Sequence, residues 1–116
     1  MMSPPLPLFE ADVSRRDGVA VLALRGELDL ATRTKFEEAI RAIPPEVGIV
    51  LDVRDLEFVD GGALGRWAQL AMERQRDGAG FRVRNASPFL LRMLRVCELE
   101  WLLDGSESAS MDGGRA

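Results

Sequence analysis

The alternation of short apolar runs with segments of helical periodicity is the feature of this sequence that most constrains its fold. Residues 19–24 and 49–53 are short and mainly apolar, which is typical of buried strands. Weaker strands are predicted over residues 8–14 and 81–84. The first of these is expected to pair with residues 19–24 as a hairpin through Arg16-Asp17-Gly18, because Asp-Gly is a common turn sequence.

Three segments between and after these strands have the periodicity of helices. The first begins near Thr32 and is stopped by Pro44-Pro45. The third begins at Ser87-Pro88, where a capping hydroxyl precedes a proline. The second runs from Ala63 to about Arg76, with an apolar face predicted to consist of Leu64, Trp67, Ala68, Ala71 and Met72. The order β-β-α-β-α-β-α predicts an α/β fold: a mixed, mainly parallel sheet of about four to five strands with helices packed against it.

A chain of 116 residues is long enough to bury one core and too short to form two domains. We predict a folded domain over residues 8–103, preceded by an N-terminal arm over residues 1–7. Residues 99–103 are expected to close the core, and Cys97 is expected to lie in it. Residues 104–116 are rich in glycine, serine and aspartate, which predicts a disordered tail.

Charge and hydropathy exclude several classes of partner. The net charge is −4 and the arginines are scattered among acidic residues, so we do not expect a nucleic-acid-binding surface. No apolar run reaches the length of about 18 residues that a membrane span needs, which predicts no membrane insertion. The first eight residues have no basic segment of the kind that opens a secretory signal, so the cytoplasm is the predicted location.

The chemistry available to the chain is limited because it contains no histidine and only one cysteine. Histidine is the commonest general base near neutral pH, and its absence removes Ser-His and Cys-His activation of a nucleophile. Disulfides within the chain and the usual Cys/His zinc sites are excluded as well. We therefore predict a non-catalytic protein without metal or cofactor. An enzyme or small-ligand binder that uses the carboxylates of Asp29 and Asp60 is the weakest alternative.

A series of short motifs occurs in order along the chain: Gly26-Glu27-Leu28-Asp29, then Asp52-Val53-Arg54-Asp55-Leu56 leading to Phe58-Val59-Asp60, then Leu64-Gly65, Ala86-Ser87-Pro88 and Trp101-Leu102-Leu103. Together these motifs resemble the STAS domain family, in its anti-sigma factor antagonist (anti-anti-sigma factor) branch. The resemblance covers residues 19–103, nearly the whole predicted domain. It implies the fold already expected from the order of the elements.

The resemblance also implies a regulatory loop, and this chain departs from its pattern. In antagonists of this branch, a loop reading Asp-Ser-Ser-Gly or Asp-Ser-Thr-Gly precedes the second helix. Its first hydroxyl residue is phosphorylated by the anti-sigma factor, a serine kinase, and phosphorylation abolishes binding. The matching stretch here is Asp60-Gly61-Gly62-Ala63, so Gly61 stands at the lost phospho-acceptor position. We expect no phosphorylation switch at this loop.

The partner surface implied by the resemblance includes Asp29, Asp60, Gly61, Gly62, Leu64 and Trp67. Several of these residues also have a purely structural interpretation. Asp60 is suited to capping the second helix and Asp29 to capping the first, while the glycines are suited to a tight turn. Trp67 fits the core at its helical spacing, although a half-exposed position would make it an interface anchor. The backbone N–H groups at this helix end also suit a carboxylate or a free anion.

Two classes of protein partner follow from the resemblance. One is a serine-kinase-like anti-sigma factor, which the chain would bind as an antagonist outside kinase control. The other is the ATPase of an ABC-type transporter, as in phospholipid-trafficking complexes, to which a stand-alone STAS subunit binds without a phosphoserine. The sequence leaves the oligomeric state open between monomer and homodimer.

Overall fold

The computed structural model describes residues 8–104, so the predicted arm over residues 1–7 and nearly all of the predicted tail lie outside it. The elements are β1 (Phe9–Arg16), β2 (Val19–Leu28), α1 (Arg33–Arg41), β3 (Gly48–Val59), α2 (Gly61–Arg76), β4 (Phe81–Arg84), α3 (Pro88–Val96) and a 3₁₀ turn (Glu100–Leu102). This order confirms the predicted α/β fold class.

The four strands form one mixed sheet in the order β1-β2-β3-β4. β1 is antiparallel to β2, whereas β2, β3 and β4 are parallel to one another. The predicted hairpin is confirmed, because β1 and β2 are joined by a two-residue turn. Its residues Asp17 and Gly18 have φ values of 51° and 79°, as a type I′ turn requires. At the other edge, Leu103 makes an isolated parallel bridge to Val83.

One face of the sheet carries the core. The strand residues on this face are buried in alternation: Ala20, Leu22, Leu24, Ile49, Leu51, Val53, Phe81 and Val83. They join one cluster with residues from all three helices, namely Phe36, Ile40, Leu64, Trp67, Leu90 and Leu94. Because alternate residues of a strand share a face, the three helices lie on the same side of the sheet. On the opposite face, Val21 and Val50 are only half-buried.

β3 is the main departure from the predicted elements. The sequence predicts a strand over residues 49–53 followed by a loop, whereas β3 continues to Val59. Its second half pairs with residues 25–28 of β2, with one shift in register before Arg25 and a second between Gly26 and Glu27. Gly26 lies at the second shift with a φ of +93°, and a β-carbon there would lie 2.2 Å from the carbonyl oxygen of Leu8. The extension of β3 depends on this non-local pairing and is not visible in its own charged sequence.

The buried face of α2 is rotated from the predicted one. Met72, which is predicted on the apolar face, is 57% exposed, and Leu70 and Arg74 are buried instead. The Arg74 guanidinium donates hydrogen bonds to the carbonyl oxygens of Pro44 and Ile43, in the turn after α1. Burial lowers the pKa of Arg74. A buried arginine is tolerated here because the carbonyl oxygens of this turn accept hydrogen bonds from its guanidinium.

The C-terminal end of the described chain confirms one expectation and corrects another. Leu102 and Leu103 are buried and close the core as predicted. Trp101 is 49% exposed. The prediction that Cys97 lies in the core is wrong, because Cys97 is exposed. α3 ends at Val96, so Cys97 lies at the C-cap of the helix and not on the face that buries Leu90 and Leu94.

Candidate functional site

The N-terminal end of α2 lies where two parallel strands end. Leu28 ends β2 and Val59 ends β3, and these two residues are paired in register. Asp60 follows directly, and its backbone N–H donates to the carbonyl oxygen of Leu28 at 3.1 Å. Asp60, Gly61 and Gly62, here named the α2 start, therefore lie at the carboxyl edge of the sheet, the usual place of functional loops in α/β folds.

Asp60 caps α2, as the structural interpretation of the sequence predicts. Its backbone is extended, and its Oδ1 accepts a hydrogen bond from the N–H of Ala63 at 2.8 Å. Both carboxylate oxygens also lie 3.2 Å from Nη2 of Arg33, in the first turn of α1. Each side chain is 30% exposed, so solvent screens the pair, and it contributes about 1 kcal/mol or less. Asp60 thus connects α1 to the α2 start.

Gly61 and Gly62 form the exposed first turn of α2. The φ angles of both are negative, so the backbone does not require glycine at either position. A β-carbon on Gly61 would meet no heavy atom of the surrounding chain within 4 Å. A β-carbon on Gly62 would lie 2.6 Å from Nη2 of Arg33. Gly61 is therefore sterically open to a side chain, whereas Gly62 is covered by the Arg33 guanidinium.

Asp29 shapes the turn between β2 and α1 and does not cap α1. Its Oδ1 accepts from the backbone N–H of Ala31 at 3.0 Å and of Thr32 at 3.2 Å. Thr32 precedes α1 without a side-chain capping bond, and its buried hydroxyl donates to the carbonyl oxygen of Glu27 at 2.7 Å. This turn follows β2, whose last residue pairs with the last residue of β3, directly before the α2 start. Leu30 lies in the turn and is 78% exposed.

Two residues of the predicted partner surface are core residues. Trp67 is 0% exposed and Leu64 is 1% exposed, so neither presents its side chain to a partner in this structure. This corrects the prediction that they contribute to the site and supports the core interpretation of Trp67. The Trp67 indole N–H is buried without a hydrogen-bond acceptor among the described residues, so the ring is held by packing alone.

A groove of about 560 Å³ lies beside the α2 start. It is lined by Arg33, Gly62, Gly65, Arg66, Ala68, Gln69 and Met72. Glycine and alanine on this side of α2 allow the backbone of a partner to approach closely. The exposed thioether of Met72 offers an adaptable apolar contact, while each arginine is paired with a carboxylate, Arg33 with Asp60 and Arg66 with Glu37. These properties suit a protein segment with small or apolar side chains.

Arg66 fixes one wall of this groove by joining α2 to α1. Its Nε and Nη2 donate to the two carboxylate oxygens of Glu37 at 2.7 and 3.0 Å. These hydrogen bonds raise the pKa of Arg66. Together with the Arg33–Asp60 pair, they connect α1 and α2 at two places on the solvent side. The groove is therefore a preformed surface, which lowers the entropic cost of binding.

Sequence reasoning identified Asp29, Asp60 and the two glycines but missed Arg33 and the groove. A signal for Arg33 was present, because a cation in the first turn of a helix opposes the helix dipole and needs another partner. No local signal marked the exposure of Met72, since that depends on how α2 is rotated against the sheet.

Two other kinds of site are not found in residues 8–104. No group of three or more histidine, cysteine, aspartate or glutamate side chains is arranged to hold a metal ion. Among the same residues, no helix combines the length and the apolar character needed to cross a membrane.

Solved structures with similar folds include those of anti-sigma factor antagonists. One from Mycobacterium paratuberculosis has a TM-score of 0.71 and 24% identity, covering 89% of this chain and 92% of its own. The antagonist SpoIIAA in its unphosphorylated form has a TM-score of 0.60 and 23% identity, covering 91% of this chain and 96% of its own. The Bacillus cell fate determinant SpoIIAA in its phosphorylated form has a TM-score of 0.56 and 20% identity, covering 91% and 100%. At these identities the likeness concerns the fold.

Sequence comparison identifies the family. A search of curated proteins gave no significant match. A family model described as "Mlab, STAS domain" matches residues 11–105, which contain every strand and helix of the described chain except the first two residues of β1. The match covers most of the chain and agrees with both the fold and the ordered motifs, so this protein belongs to the STAS domain family.

Proposed function

We propose that this protein is a non-catalytic regulator that binds a serine-kinase-type anti-sigma factor through the α2 start and the adjacent groove. We also propose that phosphorylation does not switch this binding at the α2 start, because Gly61 replaces the phospho-acceptor. The fold of the structural neighbours supports the first part, since they include antagonists of anti-sigma factors. We assign this function to the cytoplasm, the compartment expected from the sequence.

The observation that carries the proposal is the position of Gly61 and its open surroundings. By the resemblance of the Asp60-Gly61-Gly62-Ala63 motif, Gly61 corresponds to the regulatory hydroxyl of the antagonists, and it is exposed and sterically open. A phosphate there would add nearly two negative charges beside Asp60, in a surface that a partner must desolvate. Glycine cannot accept a phosphate, so the surface keeps the neutral character that suits binding.

The occupied carboxylates support a binding role over a catalytic one. Asp60 accepts from a backbone N–H and from Arg33, and Asp29 accepts from two backbone N–H groups of its turn. A general base must reach the proton that it removes, whereas both carboxylates are engaged in holding local structure. An enzyme that uses these two residues is therefore the least favoured function.

A second candidate function is that of a STAS subunit bound to the ATPase of an ABC-type transporter. The description of the matching family model, "Mlab, STAS domain", supports this second candidate function. Such a subunit needs no phosphoserine, so the Asp60-Gly61-Gly62-Ala63 sequence is compatible with it. The same groove would serve either partner, and only the identity of the partner distinguishes the two functions.

Affinity purification tests the proposed function. The full chain, tagged and expressed at native level in its own cells, is expected to co-purify a protein with a serine-kinase-like anti-sigma domain. A Gly61→Glu bait controls for capture through other surfaces and is expected to lose that protein. Recovery of an ABC-type ATPase in its place would overturn the anti-sigma assignment and establish the second candidate.

A phosphorylation assay with the captured kinase tests the missing switch. We expect no phosphate on residues 60–63 of the wild type and phosphate on the introduced residue of a Gly61→Ser variant, since that position has room for a side chain. Thr32 is buried and Ser87 is bonded to the N–H of Leu90, so neither is a ready substitute. Stoichiometric phosphate on the exposed Thr34 of the wild type would contradict the proposal and indicate a displaced switch.

A further inference from the structure

β1 is an edge strand whose outer backbone groups have no strand partner among the described residues. It pairs with β2 without any bulge from Phe9 to Arg16, and the N–H of Glu27 donates to the carbonyl oxygen of Leu8. In a regular antiparallel ladder, the backbone groups of alternate residues face the neighbouring strand. The N–H and C=O groups of Ala11, Val13 and Arg15 therefore face outward, available to another strand.

β1 lacks three of the usual devices that protect an edge strand, namely short length, proline and a β-bulge. β1 is eight residues long, contains no proline and has a continuous register. Its middle residue, Val13, is 45% exposed although it lies on the core face, opposite Leu22 of β2. An exposed apolar side chain beside unpaired backbone groups is a feature of strands that pair with another chain.

The charges of β1 are complementary to those of a second copy of the same strand. Its first half carries Glu10 and Asp12, and its second half carries Arg15 and Arg16. In an antiparallel pair of two β1 strands centred on Val13, each residue faces the residue of the other copy whose number, added to its own, gives 26. Glu10 then faces Arg16 of the partner subunit on the outer face of the sheet, and the pair repeats by symmetry. The same register makes Ala11, Val13 and Arg15 the hydrogen-bonded positions, which are the ones that face outward.

We propose that two copies of this protein pair antiparallel along β1 and form one continuous eight-stranded sheet. The two Val13 residues face each other across the two-fold axis. Such a pair is isologous, because each copy uses the same surface. A register shifted by one residue in each copy toward the N-terminus would place Asp12 opposite Asp12, which like-charge repulsion disfavours. The proposal concerns a surface other than the α2 start and does not depend on the proposed function.

Sedimentation velocity and light scattering on the purified full chain test this pairing. We expect a concentration-dependent species of twice the monomer mass of 12.8 kDa. Val13→Pro removes a backbone N–H that faces outward and leaves the hydrogen bonds between β1 and β2 in place, so it is expected to give a folded monomer. Val13→Thr keeps this N–H and is expected to keep the dimer. A wild type that stays monomeric at all concentrations, or a Val13→Pro dimer, would overturn the proposal.

A charge-reversal pair tests the register without relying on proline. Arg16→Glu places the new glutamate opposite Glu10 of the partner subunit, and Glu10→Arg places the new arginine opposite Arg16 of the partner subunit. Each variant alone is expected to dimerise at least about tenfold more weakly than the wild type, while an equimolar mixture forms heterodimers of near wild-type affinity. If mixing restores no dimer, the proposed register is wrong.

Discussion

The beginnings of α2 and α3 are built on the same principle but with different residues. Each helix is preceded by an extended residue whose side-chain oxygen accepts from the N–H three positions later. Asp60 bonds to Ala63 at 2.8 Å, and Ser87 bonds to Leu90 at 3.1 Å. After the cap, however, α3 begins with Pro88, whereas α2 begins with two glycines.

This difference separates a helix start adapted to stability from one that is not. Proline at the first helical position has its φ already fixed for the helix. Glycine is a poor helix former, and the negative φ of Gly61 and its open surroundings give no conformational reason for it. Positions that break a local rule without a structural reason are candidates for function. The comparison therefore directs attention to the α2 start.

The two starts also differ in their connections. The Ser87 hydroxyl oxygen accepts a bond within its own helix, whereas Asp60 also bonds to Arg33 of α1 and to the end of β2. A side-chain change at Asp60 therefore affects the contact with α1 as well as the cap of α2, whereas the bond of Ser87 lies within the start of α3. Gly61 and Gly62 carry no side chains, so the surface between these contacts and the groove stays open.

The largest expected effect concerns the buried middle of α2, on which the comparison depends. Trp67→Ala should lower the free energy of unfolding by about 3–5 kcal/mol, because it leaves a large cavity in the core. Urea unfolding measures this, with the half-exposed Trp101→Ala as the matched control and a much smaller expected loss. If Trp67→Ala barely changes stability but weakens partner binding, the ring is an interface anchor and α2 is held in another way.

An intermediate effect compares the two caps. Ser87→Ala should cost about 1 kcal/mol, the usual cost of losing a capping hydroxyl. Asp60→Ala should cost somewhat more, up to about 2 kcal/mol, because it removes the cap and the contact with Arg33. Thermal and urea unfolding of both variants test the order. A larger loss at Ser87 would mean that the link between α1 and the α2 start contributes no stability.

The smallest effect is a gain in stability at the α2 start. Gly61→Ala should stabilise the protein by about 0.4–1 kcal/mol, since alanine restricts the unfolded chain and fits without a clash. Gly62→Ala should gain less or lose stability, because its β-carbon displaces the Arg33 guanidinium. Equal gains at both positions would show that Arg33 does not cover Gly62.

The features that could be predicted from the sequence are those set by neighbouring residues. The Asp17-Gly18 turn, the caps Asp60 and Ser87, and the order of the elements all follow from local patterns. The second half of β3 could not be predicted, because it depends on pairing with β2 beyond the shift at Gly26.

The same distinction applies to the site. The loop position of Asp60 and the glycines could be placed by motif, but the burial of Trp67 and Leu64 and the exposure of Met72 depend on the rotation of α2. That rotation is coupled to Arg74, which reaches carbonyl groups about 30 positions earlier in the chain. Such long-range contacts leave no periodic signal in the sequence.

The affinity of the captured partner for Gly61→Glu and Gly61→Ala, measured by calorimetry on folded proteins, tests the central claim most directly. Glutamate adds bulk and an unpaired charge beside Asp60 within the interface, so we expect an affinity loss of about a hundredfold or more. Alanine is expected to bind nearly as tightly as the wild type, which controls for the loss of glycine itself. If Gly61→Glu folds and binds with unchanged affinity, the α2 start is not the partner-binding surface.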